Sequence, residues 1–423
     1  MDFDVIVAGA RPAGAATAML LARAGLRVLA VDRARFPSDT LSTHQIQLPG
    51  GALLRRWGIL DKLIENGTPA ARNVHFDAGP AVLRGDYAAF DGVDAVYSPR
   101  RTLLDALLIA EARAAGATVE ESFVVEGLTG DARITGIRGK LKGATTARTI
   151  TARLVVGADG KHSTVAKAVR ARAYRHRPPI SAACYGYFAD LPLKGGEVYT
   201  RPDRMVGLWP TNDDLTIVYL GVPVSRFPAV RHPESFRAAV SEPADLRDRV
   251  AAATLVEHVR ATTDVPGLIR RPYGPGWALA GDAGLVMDPI TGQGIGNALR
   301  DADALAAAIL AAFDGNRKAF HDYHRARDAA RRPIYDLTAR IAAFRPDLAG
   351  EILFPALAKD PAQVTRFLGV LTGTMPVRDF FDPRNLRRIV GSRGLLRLMA
   401  ARAGAAPRRK GAAPGDHIGR DRR

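Results

Sequence analysis

The chain has 423 residues, more than one compact core usually holds, so two cores are expected. Hydrophobic residues make up 47% and charged residues 24%, a globular composition, and the single cysteine, Cys184, excludes an internal disulfide framework and fits a reducing cytoplasm. The formal net charge of +17 is spread along the chain with no aromatic-interleaved basic patch or zinc motif, so it reads as a solvated basic surface that attracts anions rather than a nucleic-acid footprint.

The stretch from Asp4 to Ala18 carries the strongest local pattern. The apolar run Val5 to Ala8 predicts a buried strand, Gly9 a tight turn, and Gly14 the close approach of a following helix to that strand. Ala15, Ala16 and Ala18 keep the helix face thin until Gly25 stops it. A second strand, Arg27 to Val31, ends at Asp32. Strand, glycine turn, helix and strand, with an acid about 20 residues past the turn, form a dinucleotide-binding unit. The helix N-terminus offers free N–H groups to a pyrophosphate, and Asp32 is placed for a ribose hydroxyl. Arg11 stands where GxGxxG has its middle glycine. It either brings a cation to the pyrophosphate or marks an ordinary βαβ turn that binds nothing. The strand begins at residue 3, so no basic-then-apolar leader is expected. No 18-residue apolar run is present, and no membrane insertion is expected.

The polar stretch after Asp32 predicts a loop in which Arg35 and His44 either face a cofactor or lie on the surface. Gln47-Leu-Pro-Gly-Gly51 then precedes a helix from Ala52 to Trp57 and another from Ile59 to Ile64. Strands are expected at Val74–Phe76, Ala81–Arg84 and Asp94–Tyr97. A helix with leucines at 103, 104, 107 and 108 follows Pro99. Further strands read at 116–119 and 123–125, and Leu154–Val156 reads as a central parallel strand ending in Gly157-Ala-Asp-Gly160. Residues 180–225 alternate in the manner of antiparallel strands. Their aromatics (Tyr185, Tyr187, Phe188, Tyr199, Trp209, Tyr219) either line a pocket or fill a sheet core. Helices resume at Pro233–Val240 and Asp245–Ala253. A third strand-to-turn junction, Trp277 to Ala298, ends in Gly281-Asp282. A loop with Pro289, Gly292, Gly294 and Gly296 then feeds a long helix from Asn297. Its backbone N–H groups suit a developing negative charge. The region after Pro333 reads as helical and the tail from Pro407 as disordered. Residues 401–423 hold seven Arg or Lys against two Asp.

Together the three junctions resemble those of the FAD-dependent monooxygenase superfamily of the p-hydroxybenzoate hydroxylase type, over about residues 1–335. The resemblance implies an α/β fold. A Rossmann-like FAD-binding domain would comprise residues 1–72, 96–175 and 274–334, and an inserted, mainly antiparallel substrate sheet residues 73–95 and 176–273. A helical region (335–406) and a disordered basic tail (407–423) would follow. It implies FAD contacts from Gly9, Arg11, Pro12, Ala13, Gly14, Asp32 and Arg33 at the first motif. Arg101 after Pro99, the Val125 backbone and Asp159 would add to these. Gly281, Asp282, Pro289, Gly292, Gly294, Ile295, Gly296 and Asn297 would complete the set, with Asp282 on the ribityl chain and the loop over the isoalloxazine. The implied reaction uses NAD(P)H and O2, through a flavin C4a-hydroperoxide, to hydroxylate or epoxidise a small organic substrate. No catalytic side chain is assigned; His44, His162 and His232 are the available acid–bases, and each reads more readily as structural or solvated. Where this family often has His, the chain has Leu285. The Asp288–Ile295 region is also similar to geranylgeranyl-type reductases, which leaves a double-bond reductase open, as it does a non-catalytic flavin-binding protein. The WxWxIP motif of tryptophan halogenases is missing.

Overall fold

The computed structural model describes residues 1–345 and 348–404. The expectation for the tail from Pro407 lies outside the described residues. The apolar run near the N-terminus forms the strand Phe3–Ala8, the centre of a sheet of eight strands. Five are parallel, in the order Thr118–Glu120, Val28–Val31, Phe3–Ala8, Arg148–Gly157, Trp277–Leu279. Helices cover one face; the strands Phe123–Thr129 and Gly136–Leu141 and the short helix Thr164–Ala168 cover the other, so the central strands are apolar throughout rather than alternating. The helix Pro12–Arg23 is buried on nearly every side against the sheet and the helices Arg101–Ala114 and Gly294–Phe313, which is why small residues dominate it.

A second sheet of eight strands spans 73–86 and 181–262. It is antiparallel except where Gly196–Arg201 runs parallel to Asn73–Asp77. Alternate residues of the strand Ser181–Ala189 serve opposite cores. Ala182, Cys184 and Phe188 pack on the helices Pro233–Val240 and Ala244–Ala252. Tyr185 and Tyr187 face Trp209, Ile217 and the C-terminal helices, whose Phe367 meets Phe76 edge-on with ring centroids 5.8 Å apart. Phe188 and Tyr199 are therefore core, and Tyr185, Tyr187 and Trp209 are buried on the other face. Among the described residues no helix is long and apolar enough to cross a membrane.

Three sequence expectations shift. The helix expected at Ala52 begins at Leu48, with Pro49 in its first turn. Gly50 and Gly51 lie inside it: a Cβ on Gly50 would stand 3.2 Å from Gly296 Cα on the long helix, and one on Gly51 3.1 Å from a Val93 methyl. The long helix begins at Gly294, not Asn297, so Gly294 and Gly296 belong to its first turn. The strand expected at Asp94–Tyr97 shrinks to Val96–Tyr97, paired with Ala70–Ala71. Val93 and Ala95 pack into the core of the parallel sheet.

Candidate functional site

Four strand ends meet at the C-terminal edge of the parallel sheet. Ala8 is paired with Val31 on one side and Gly157 on the other, and Gly157 with Leu279. The stitching continues past the strands: Gly9 N–H donates to the Val31 carbonyl (2.8 Å), Ala158 N–H to Ala8 (2.7 Å) and Ala280 N–H to Gly157 (2.9 Å). The chain leaves Phe3–Ala8 toward Val28–Val31, while Arg148–Gly157 lies on the opposite side. This is the topological switch point, where open α/β sheets bind ligands.

The glycines here are fixed by space. Gly9 has φ +98°, and a Cβ on it would lie 2.3 Å from the Ala158 carbonyl oxygen. A Cβ on Gly14 would lie 1.7 Å from the Gly9 carbonyl oxygen, and one on Gly281 2.9 Å from Ala13 Cβ. The first helix thus starts against the turns. Pro12 has no N–H to leave unpaired, while those of Ala13 and Gly14 have no helical acceptor, and no acid sits in that first turn.

Arg11 has φ −83°, a conformation any residue adopts, so the position does not need glycine. Its guanidinium pairs with Asp105 and donates to Ser38 Oγ (3.0 Å). Asp105, fully buried, also accepts two bonds from Arg101 at 3.0 and 2.9 Å. Two cations thus share one carboxylate and leave one positive charge. Asp32 accepts from Ala10 N–H (2.8 Å) and Ala34 N–H (2.7 Å), which leaves each oxygen further acceptor capacity. Arg33 beside it is exposed. The strand carrying Val125 is tied to this end of the site by Phe123 N–H on the Asp32 carbonyl (2.8 Å).

At the second junction, Asp159 Oδ2 accepts from Thr164 and Val165 N–H, while Oδ1 is buried with no partner among the described residues. At the third, the Asp282 side chain is exposed to solvent, with protein packed densely around it. It accepts no hydrogen bond from the described residues. Enclosure pushes its carboxyl up to about 6, against the pull of Lys161 and Arg101. Asp301, buried on the long helix, accepts from Gly281 N–H (3.2 Å) and holds this turn in place.

The loop that follows leads from this turn to the long helix. Asp288 accepts from Ile290 N–H (3.0 Å) and Ser181 Oγ–H, fixing the turn at Pro289. Gly292 has φ +61°, with Gln45 Oε1 1.9 Å from where a Cβ would stand. At Gly294 a Cβ would meet nothing within 4 Å, and the residue is exposed. Ile295 enters the core, and Asn297 accepts from Arg300 (2.8 Å).

Sequence reasoning missed what faces this loop. Gln45 and Gln47 are buried and bonded to each other (3.0 Å), and Gln47 Oε1 is left without a partner. His44, read with the surface loop, is fully buried at φ +63°. Its Nδ1 lies 2.9 Å from the Ser42 carbonyl and its Nε2 2.7 Å from the Tyr187 hydroxyl. A carbonyl only accepts, so Nδ1 carries the hydrogen and Nε2 accepts from Tyr187. Burial, then the Arg101 and Arg100 charges, push this imidazole down to about 3, so it stays neutral. Its partner lies far along the chain, beyond the reach of any local pattern. His162, by contrast, is exposed and paired with Asp264 (2.7 Å), and His232 is exposed beside a surface helix.

A model of the FAD binding domain family matches residues 2–338. The chain belongs to this family. It is an FAD-dependent oxidoreductase. Among relatives in the family's range, the digeranylgeranylglycerophospholipid reductase of Methanocella arvoryzae is 30% identical over 336 residues, 76% of this chain and 82% of that one. Ubiquinone hydroxylase UbiM of Neisseria meningitidis is 27% identical, over 73% of this chain and 69% of its own length. Among solved structures, a Cytophaga hutchinsonii flavoprotein/dehydrogenase aligns with TM-score 0.78 at 18% identity, covering 95% of this chain and all (100%) of that one. PqsL, a probable FAD-dependent monooxygenase from Pseudomonas aeruginosa, aligns at 0.68 and 22%, covering 86% and 99%.

The site fits the cofactor of the FAD binding domain family. An enclosed carboxylate without a hydrogen bond, the orphan Asp159 oxygen and the open space over Gly294 are what a polar ligand lying along this edge would fill. A pH effect follows. The raised Asp282 carboxyl is protonated below about 6, and an FAD hydroxyl bonded to it favours the ionised form. FAD affinity is therefore expected to fall as pH drops through that value, approaching about tenfold per pH unit. Asp282→Asn should bind more weakly at neutral pH and lose this dependence. Flavin-fluorescence titration measures both; a flat wild-type profile would place Asp282 away from the flavin.

Proposed function

We propose that the protein is a monooxygenase that uses NAD(P)H and O2 to hydroxylate or epoxidise a small organic, aromatic or polyketide-like substrate. When bound, FAD would take reducing equivalents from NAD(P)H and activate O2; the chain binds, orients and excludes water. Asp32 would accept from the ribose, and Arg101, held by Asp105, would contribute the positive charge. Asp159 and Asp282 would accept from the cofactor's hydroxyls. The free N–H groups at Gly294, Ile295 and Gly296, at the positive end of the long helix, would stabilise negative charge on the ring.

The observation that carries the reading is the wall around the Pro289–Gly292 turn. Ile290 packs with Ala183 and Tyr219, and Tyr187 is bonded to His44 beside Tyr185. The wall is buried and aromatic, with the Arg100 guanidinium 4.2 Å from the centre of the Tyr187 ring. Its imidazole is held neutral with its hydrogen committed to a backbone carbonyl, and burial holds the two tyrosines well above their usual range. Oxygen-atom transfer needs such a wall. Saturating a double bond also needs a proton delivered to carbon, which this imidazole is poorly set to supply.

A second reading, an FAD-dependent reductase, is supported by the 30% identity to the digeranylgeranylglycerophospholipid reductase. Product formation with NAD(P)H and candidate substrates, followed with and without oxygen, separates the two. Turnover is expected to require O2, and equal anaerobic turnover would establish the reductase. Bleaching of the bound flavin by NADH or NADPH is expected in either case, and its absence would leave a non-catalytic flavin-binding protein. The single cysteine supports the reducing cytoplasm as its compartment.

A further inference from the structure

The family match stops at residue 338, and the helices beyond it carry a surface the flavin chemistry does not use. Apart from the N-terminal Met1, the three most exposed large apolar side chains among the described residues are Leu396 (69%), Met399 (58%) and Leu348 (56%). All three lie on the helices Leu348–Leu357 and Pro383–Gly404, which pack against each other. Gly391 (φ +71°) kinks the latter, and the segment after it has two sides. Leu398 is buried and Leu395 half-buried, while Arg393, Leu396, Arg397 and Met399 are exposed. From Pro383 to Ala401 the sequence has five arginines and no acid. None of the five forms an ion pair among the described residues. Arg384 and Arg388 also line, with Arg366 and Arg378, an open cavity of about 470 Å³ that Asp379 and Asp382 only partly neutralise.

We propose that this C-terminal face docks on the surface of an anionic phospholipid bilayer. A helix lies in the headgroup plane when exposed apolar side chains sit among basic ones: the apolar groups enter the acyl boundary and the guanidinium groups meet lipid phosphates. Charge complementarity selects this occupant. Leucine and methionine gain nothing from a nucleic-acid backbone, and a second copy of the face would set arginine against arginine. The proposal stands apart from the choice between monooxygenase and reductase.

Co-sedimentation of the full-length holoprotein with vesicles tests it. Binding is expected to phosphatidylcholine vesicles containing phosphatidylglycerol and not to phosphatidylcholine alone, and it should weaken as salt rises. Leu396→Glu/Met399→Glu and Arg393→Glu/Arg397→Glu should each lower the affinity by about tenfold or more. Both variants change exposed positions and should keep the wild-type flavin spectrum and melting curve. Glycerol phosphate should not compete, because a soluble phosphate offers nothing to the apolar side chains. Equal binding to neutral vesicles, no binding to either, or unchanged binding by Leu396→Glu/Met399→Glu overturns the proposal. So does loss of binding on removing only residues 405–423, or a dimer that Leu396→Glu/Met399→Glu turns into monomer, which would assign the face to a second copy.

Discussion

Gly14→Val is expected to give a chain that holds no flavin and melts well below wild type. The valine Cβ would need to sit 1.7 Å from the Gly9 carbonyl oxygen, 2.7 Å from its carbonyl carbon and 3.2 Å from Ala158 Cβ. Two of those atoms are backbone, in a turn pinned by hydrogen bonds on both sides. No rotamer change relieves the contact, so the helix Pro12–Arg23 must move off the sheet and lose packing along its buried length. A cost above about 3 kcal/mol is expected, at the high end for overpacking. The same movement displaces the Ala13 and Gly14 N–H groups proposed to hold the FAD pyrophosphate. Gly127→Val, in a strand where a Cβ meets nothing within 4 Å, is the matched control and should fold and bind. Thermal melting and flavin content of the two variants make the measurement. A yellow Gly14→Val protein with wild-type melting would show that the close approach is dispensable.

Gly294→Val should separate the fold from the cofactor. Here a Cβ meets no protein atom within 4 Å, and the residue begins a helix with no positive φ to forbid a side chain. Apo-protein stability should change by no more than about 1 kcal/mol. If the flavin lies over this first turn, the isopropyl group occupies its place. FAD affinity should then fall by about 10- to 100-fold, the cost of a clash of about 1–3 kcal/mol. Calorimetric melting of apo-protein and FAD titration give the two numbers. Wild-type FAD affinity would mean that the ring lies elsewhere.

These two glycines also mark how far the sequence could be read. Gly9, Gly14 and Asp32 form a local unit whose spacing is set by one turn and one helix, so their placement followed from periodicity. The ends of the later parallel strands could be recognised because runs apolar on both faces end in glycine and aspartate. Helix starts were harder. Pro49-Gly50-Gly51 reads as a turn from local propensity, yet it lies inside a helix, with Gly50 against Gly296 and Gly51 against Val93. Gly294 was read as loop because glycine propensity hides a helix start, although nothing crowds it there. The partners of Arg11 and His44 could not be read at all. Asp105 and Tyr187 reach them across the fold, and nothing in the local sequence encodes a contact of a turn with a distant helix or of a loop with a distant strand.

The lateral stitching of the three turns also bears on synthesis. Trp277–Leu279 adds to the sheet beside Arg148–Gly157 only after the whole of residues 158–276, including most of the second sheet, has been made. Until then the nascent chain has the pyrophosphate turn but neither Asp282 nor the Gly294 helix. Closing so long a loop to form a parallel pair is entropically costly and slow. A ribosome-bound chain ending near residue 270 should therefore capture no FAD. Once release allows the last strand to dock, the cofactor should shift the equilibrium toward the assembled sheet, so flavin supply during expression should raise the yield of folded protein.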